Sequence, residues 1–278
     1  MSLDGLDFLI RLAISEDIGH GDVTTDSVVD QSLRGQAVVV GREPFVLSGS
    51  RPFHRVFQLL DASIEIESQF RDGEKVGVGT PVFRLSGTAR TLLTGERTAL
   101  NFLQRLCGIA TLTEKMTQAI SGTRCRLLDT RKTTPLWRIL EKEAVRHGGG
   151  ANHRFGLSDG VLIKDNHIVA AGGIEGAIRN ARQRAPHTLK IEVEVDDLDQ
   201  FKVALELGAD IIMLDNFSLE MMEQAVALNE GKVLLEASGG VVLETIRAIA
   251  ETGVDFISCG ALTHSAKSVD LSMEIQPA

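Results

Sequence analysis

The sequence predicts an α/β protein in two parts: a mixed α/β N-terminal domain over 1–107 and a βα barrel over 108–265, with the tail 266–278 packing back on the first. The reading starts from the contrast between the two halves. Early in the chain, short alternating apolar runs are separated by polar, glycine-bearing turns, the pattern of a mostly antiparallel sheet. From Arg126 onward, short apolar runs alternate with amphipathic stretches of helical length, the pattern of parallel strands joined by helices. The polar ends of those runs recur evenly: Glu194, Asp215 and Glu236 stand 21 residues apart, and Gly260 follows 24 further on. Even spacing favours a barrel of repeated units over an open sheet.

Taken in order, apolar spacing predicts a helix over 6–15, followed by a loop over 16–26 rich in glycine, aspartate and threonine. Strands are expected over 37–40 and 44–48, a helix over 51–59, and strands over 64–68 and 81–85. Asp72-Gly73-Glu74-Lys75-Val76 reads as a hairpin turn. Leu100, Leu103, Leu106, Leu112, Met116 and Ile120 carry one helical face across 98–120. In the second part, strands are expected over 126–129, 161–164, 191–195, 211–214, 233–236 and 256–258, with helices over 198–207, 219–228 and 243–252. An open dinucleotide-binding sheet is the competing architecture, but no GxGxxG follows an early strand.

Composition narrows the function classes. The chain carries 29 Lys and Arg against 38 Asp and Glu, a formal net charge of -9, with 4% aromatic residues and no Tyr. Nucleic-acid binders show a basic excess and stacking aromatics, so nucleic acid is excluded as a partner. No apolar run approaches the ~20 residues that span a bilayer, so no membrane partner is expected. The opening MSLDGLDFLIRL carries early acids and no cleavage pattern, which does not fit a signal peptide. Cys107, Cys125 and Cys259 share no CxxC spacing and are expected as reduced thiols of a cytoplasmic protein. The positive charges that exist cluster from Arg124 to Arg154, which points to an anionic ligand.

In a βα barrel, functional groups gather on the loops after the strands. Those positions hold Asp129-Thr130-Arg131-Lys132, then Lys164-Asp165-Asn166-His167, then Glu192 and Glu194 sharing one facing. Asp215-Asn216, Glu236-Ala237-Ser238-Gly239-Gly240 and Ser258-Cys259-Gly260-Ala261 follow. Arg131, Lys132, Arg154 and Lys164 suit carboxylates and phosphates. Glu194 and Asp215 are hard oxygen donors for Mg²⁺ through water, or stabilisers of a developing cation. The bland alternative pairs them with Arg131 and Lys164 as internal salt bridges. Ser238-Gly239-Gly240 and Cys259-Gly260-Ala261 offer backbone N–H groups to a phosphate. Gly148-Gly149-Gly150 is either a helix exit or a phosphate loop. His20 reads as a loop-pinning residue, and His264 is open between that and function. The inventory is that of a phosphosugar, a second anion and a metal.

The strings EDIGHGDVTTD (16–26), GERTALNFLQRLCGIATLT (95–113), DTRKTTP (129–135), GGGANHRFGLSDGVLIKDNH (148–167), IEVEV, IMLDNF, LEASGG and ISCGALTHS (257–265) resemble the quinolinate phosphoribosyltransferase family nearly end to end. The resemblance implies a mixed α/β domain joined to an incomplete, TIM-like βα barrel, and transfer of phosphoribosyl to quinolinate with decarboxylation. It implies that Thr130, Arg131, Lys132, His153, Arg154 and Lys164 bind substrate, most of them around the two carboxylates of quinolinate, with Lys132, Glu194 and Asp215 catalytic. Glu194 and Asp215 would face the ribose and Mg²⁺–pyrophosphate. Ser238, Gly239, Gly240, Cys259, Gly260 and Ala261 would hold the 5′-phosphate. Arg97 would reach the site from a neighbouring copy of a homodimer or hexamer. After Pro135 the family commonly has Gly-Leu-Arg, whereas this chain has Leu136-Trp137-Arg138, with Trp137 expected at a subunit contact or near the pocket mouth. Cys259 reads as a packing residue. The alternatives are a phosphoribosyltransferase for nicotinate, a molybdenum-transport-associated relative of the same fold, and a non-catalytic homologue that binds phosphorylated ligands.

Overall fold

The computed structural model describes residues 3–277. Chain order begins with α1 (Leu3–Ile18), α2 (Val23–Val28), β1 (Arg34–Gly41), β2 (Phe45–Val46), α3 (Ser50–Leu60), β3 (Glu65–Ser68), β4 (Lys75–Val76), β5 (Pro81–Thr88) and α4 (Ala89–Ala119). It continues through β6 (Arg126–Leu128), α5 (Arg138–His147), β7 (Val161–Ile163), α6 (Asp165–Ala170), α7 (Ile174–Arg184), β8 (Ile191–Val195), α8 (Leu198–Glu206) and β9 (Ile211–Asp215). Last come α9 (Leu219–Asn229), β10 (Leu234–Ser238), α10 (Ile246–Glu251), β11 (Phe256–Ser258), α11 (Ala261–His264) and β12 (Leu271–Pro277). Contacts divide the chain into two units, Met1–Glu114 with Thr134–Gly149 and Ala266–Ala278, and Lys115–Thr133 with Gly150–Ser265. A linear cut after 107 falls inside α4, where one unbroken helix leaves no room for a linker. The segment 134–149 also groups with the first unit rather than with the barrel.

In the first unit an antiparallel sheet runs β12-β1-β5-β3, so the C-terminal strand is an edge of the N-terminal sheet. Phe53, Phe57 and Phe83 form its aromatic core, with Phe53 stacked on Phe83 at 4.5 Å between centroids. α1 buries Leu6, Leu9 and Ile10, and Arg55 clamps Asp7 through Nε (2.6 Å) and Nη2 (2.5 Å). Two sequence expectations change here. The loop over 16–26 contains the start of α2, because Asp22 accepts from Thr25 N at 3.0 Å and caps it. The segment 72–76 does not join neighbouring strands of one hairpin: β4 pairs with β2, whereas β3 pairs with β5.

In the second unit six parallel strands run β6-β11-β10-β9-β8-β7. Alternation sorts their residues. Val193, Val195, Ile212, Leu214, Leu235, Ala237 and Ile257 are all 0% exposed and form the outward apolar faces that helices cover. Glu192, Glu194, Met213, Asp215, Glu236 and Ser238 take the other facing and line cavities of the interior. Among the described residues β6 and β7 are not paired with each other. Ala151 stands beside β6 instead, donating to Leu127 O at 2.8 Å and accepting from Asp129 N at 3.2 Å. The barrel is therefore incomplete. Asp197 caps α8 and Ser218 caps α9, each with a side-chain acceptor. Among the described residues no helix is long and apolar enough to cross a membrane.

Candidate active site

At the C-terminal ends of the barrel strands lies a cavity of about 690 Å³. Thr130, Arg131 and Lys132 enter from the loop after β6, and His153 and Arg154 from the segment before β7. Lys164 follows β7, Glu194 and Asp215 lie at the ends of β8 and β9, Ser238, Gly239 and Gly240 end β10, and Cys259, Gly260 and Ala261 follow β11. Every expected site residue except Arg97 is thus brought to one wall. Arg97 sits on α4 in the first unit, its side chain 58% exposed and 3.5 Å from Glu96.

Local chemistry explains how the loops hold their shape. Asp129, fully buried, accepts from Asn152 Nδ2 at 2.5 Å and from His153 N at 2.9 Å. This ties the loop carrying Arg131 and Lys132 to the turn carrying Arg154. Lys132 N donates to Thr130 Oγ1 at 3.0 Å, and Lys132 O accepts from Thr263 Oγ1 at 2.8 Å. Gly239 has φ +95, and a Cβ there would overlap the Asn216 side chain, so the turn after β10 requires glycine.

The charges are unevenly satisfied. Lys164 Nζ pairs with Glu194, whose side chain is 12% exposed, so one of the two foreseen salt bridges forms. The other does not: Asp215 Oδ2 accepts from Asn216 Nδ2 at 2.7 Å. Arg131 and Lys132 make no ion pair among the described residues. Arg154 Nη1 donates to Gly160 O at 2.9 Å, while its buried Nε has no acceptor among the described residues. Burial and the nearby positive charge of Arg131 push the Arg154 guanidinium below its usual value. Two guanidiniums that repel and a donor lacking an acceptor are what an incoming anion relieves.

Residues outside the expected set complete the wall. Leu162, Met213, Val241 and Val242 add an apolar face, and His264 lines the cavity with its Nδ1 2.6 Å from Ser265 Oγ. The alternation of β7 and β9 carried the signal for Leu162 and Met213, whereas Val241 and Val242 follow a loop whose path the sequence does not dictate. His20 is exposed and makes no side-chain hydrogen bond among the described residues, so it pins nothing. Gly148 closes α5, and a Cβ there would strike the backbone of α4, so the triple glycine begins as a helix exit. Leu136 stands at φ +68, the left-handed region that glycine favours. Trp137 stacks on Phe102 of α4 at 4.4 Å and 12°. Cys259 is buried, its Sγ facing Val241 O at 3.5 Å, and burial raises its thiol pKa, which suits packing.

Two family models match the chain: the N-terminal domain of quinolinate phosphoribosyl transferase over residues 22–107 and its C-terminal domain over 109–274. The chain is 44% identical over 261 residues to a probable nicotinate-nucleotide pyrophosphorylase (carboxylating) of Bacillus subtilis (strain 168), covering 94% of this chain and 90% of the relative. It is 39% identical over 286 residues to quinolinate phosphoribosyltransferase (decarboxylating) 1b of Nicotiana tabacum, covering 96% of this chain and 81% of that one. Among solved structures, the nicotinate-nucleotide pyrophosphorylase from Francisella tularensis superposes with a TM-score of 0.95 at 44% identity, over 99% of this chain and 98% of that one.

Proposed function

The chain belongs to the quinolinate phosphoribosyltransferase family, and we propose that the charged cavity of its barrel unit is where the transfer takes place. The enzyme joins quinolinate to phosphoribosyl pyrophosphate and releases nicotinate mononucleotide, pyrophosphate and carbon dioxide, a step of NAD biosynthesis. The observation that carries the assignment of the site is the meeting of both signs of charge in one cavity, lined by Arg131, Lys132, Arg154 and Lys164 together with Glu194 and Asp215.

Arg131 and Arg154 hold the two carboxylates of quinolinate, with Lys132 and Lys164 completing the cationic wall and Thr130 and His153 beside them. The buried Arg154 Nε supplies a hydrogen bond to one carboxylate. The pyridine nitrogen, oriented by those contacts, attacks C1 of the phosphoribosyl group, and the C1–oxygen bond to pyrophosphate breaks. Positive charge grows on the ribose ring in the transition state, and Glu194 and Asp215 stabilise it. After transfer the ring nitrogen is cationic and accepts the electron pair left when the 2-carboxylate departs as carbon dioxide, so no organic cofactor is needed. Ser238, Gly239, Gly240, Cys259, Gly260 and Ala261 form the backbone cradle for the 5′-phosphate.

The donor set suits Mg²⁺ arriving with the pyrophosphate. Glu194 and Asp215 offer hard oxygens from adjacent strands, and two protein donors leave the remaining positions to substrate oxygens and water. When bound, the ion neutralises charge on the leaving pyrophosphate. Arg97, exposed on α4, completes the site of a second copy in a dimer or hexamer. Three free, buried cysteines suit a reducing, cytoplasmic setting.

The test is a product assay with quinolinate, phosphoribosyl pyrophosphate and Mg²⁺, with nicotinate as the parallel acceptor. Turnover of quinolinate alone is expected. Arg154→Ala should cost ~1.5–3 kcal/mol of substrate binding, roughly one to two decades in affinity. An effect of less than a few-fold would remove Arg154 from the carboxylate site.

A further inference from the structure

One layer below the cavity, three ionisable side chains meet inside the barrel. Glu192 on β8 and Glu236 on β10 are 5% and 1% exposed. His153 Nε2 lies 3.0 Å from Glu192 Oε2 and 3.7 Å from Glu236 Oε1, and buried Ser258 on β11 stands beside Glu236. A second cavity, of about 470 Å³, reaches the cluster from the N-terminal ends of the strands, with Arg126, Arg154, Lys190 and Asp159 as further charged groups on its wall. Two carboxylates at this depth cannot both ionise without compensation. Burial and the charge of Glu192 push the Glu236 carboxyl up to about 8.

A divalent cation is the other way to neutralise such a set, since the three ligand atoms lie within 4.8 Å of one another. The histidine decides between them. Arg154 N donates to His153 Nδ1 at 2.7 Å, which occupies that lone pair and places a ring hydrogen on Nε2. An Nε2 that carries hydrogen has no lone pair for a metal and faces the carboxylates instead, 3.0 Å from Glu192 Oε2.

We propose that the Glu192–Glu236 carboxyl pair positions the substrate-binding turn: it packs against the Nε2 edge of His153, and through His153 it fixes the backbone that aims Arg154 into the cavity. The geometry has two ends. The carboxyl pair holds the imidazole, and Asp129 holds the backbone of the same turn through His153 N and Asn152 Nδ2. Neither Glu192 nor Glu236 lines the upper cavity, so both act through His153 and are positioning residues. The inference rests on the reading that Arg154 binds a carboxylate of quinolinate.

The experiment combines kinetics with the tautomer of His153. Two-bond ¹H–¹⁵N correlation spectra of histidine-labelled enzyme, assigned against His153→Gln, should show Nε2 protonated and Nδ1 not. A ring protonated on Nδ1, or on both nitrogens at neutral pH, overturns the proposal whatever the variants do. Glu192→Gln keeps the shape but weakens the acceptor, and should raise KM for quinolinate roughly three- to tenfold. The KM for phosphoribosyl pyrophosphate should stay within about twofold, and Glu236→Gln, which keeps a neutral hydrogen-bonding group, should leave both KM values within about twofold. Equal effects of Glu192→Gln on the two substrates would mark a merely structural role. Arg154→Ala separates the two layers of argument. If it leaves KM for quinolinate unchanged, the carboxylate reading fails; if it raises KM while Glu192→Gln does not, the positioning proposal alone fails. Elemental analysis of the purified enzyme gives the last arm, since a stoichiometric divalent metal lost in His153→Gln would replace the shared proton.

Discussion

A proton buried with Glu236 leaves a thermodynamic trace that does not depend on activity. Burial, with the Glu192 charge as second cause, raises the Glu236 carboxyl from 4.5 to about 8 on folding. Between those values the native chain holds a proton that the unfolded chain has released, so stability falls as pH rises from below 4.5 towards 8 and levels off above. Each unit corresponds to ~1.4 kcal/mol, so this proton alone removes ~2–3 kcal/mol between pH 6 and pH 8. Glu236→Gln has no such proton to lose. The difference in unfolding free energy between wild type and variant should therefore shift by ~2–3 kcal/mol over that interval, seen as a melting-temperature gap that changes by about 3–5 °C. Thermal unfolding of both proteins at pH 6, 7 and 8 measures it, and offsets that do not vary with pH cancel. Parallel pH dependences, or a steeper decline in Glu236→Gln, would refute the shared proton.

Three further outcomes follow from the same contacts. Leu136→Gly should raise stability by ~0.5–1 kcal/mol, because φ +68 costs a leucine more than glycine loses in unfolded-chain entropy, and a fall in melting temperature would show that the leucine side chain contributes there. Asp129→Ala strips the acceptor from Asn152 Nδ2 and His153 N inside the barrel and should destabilise by ~2–4 kcal/mol in urea unfolding, whereas a loss under 1 kcal/mol would mean that the turn finds other partners. If Arg97 serves the site of a second copy, Arg97→Ala and Arg131→Ala proteins, each nearly inactive, should recover roughly a quarter of wild-type activity when co-refolded as a dimer, and no recovery would confine Arg97 to its own chain.

The barrel was legible because its strands bury one face against helices and turn the other inward. Val193, Val195, Ile212 and Leu214 mark the outward face, and the even recurrence of Glu194, Asp215 and Glu236 marks the strand ends. Those strand ends carry most of the cavity wall, so most site residues follow from the repeat alone. What the repeat does not carry is partnership across it. Lys164 lies 30 residues from Glu194, and nothing local says that they pair while Asp215 turns to Asn216. The first unit was harder for a similar reason. The two-residue strands β2 and β4 are too short to show a period, and their pairing across the intervening helix α3 and strand β3 is set by tertiary packing. Residues 134–149 look like part of the barrel by position, yet Glu141 is fully buried with Thr134 N at 3.0 Å and Arg105 3.5 Å away, contacts within the first unit.

Depth is the property that separates the two glutamates of β8. Period-two alternation gives Glu192 and Glu194 the same facing, and composition cannot tell them apart. Glu194, one layer nearer the mouth, keeps partial exposure and meets the Lys164 ammonium group beside the substrate wall. Glu192 lies deeper, against His153 and Glu236, where no lysine or arginine pairs with it among the described residues and a second carboxyl must be neutralised by a proton. A barrel that needs carboxylates at its mouth can tolerate them below only where a proton or a facing imidazole offsets their charge. The same cluster then fixes the turn from which Arg154 reaches upward. On this reading the lower layer converts a cost of burial into geometric precision at the substrate, and swapping the depths breaks both functions: Glu194→Gln should lower kcat with little effect on the tautomer of His153, whereas Glu192→Gln should disturb the tautomer and KM for quinolinate with little effect on kcat.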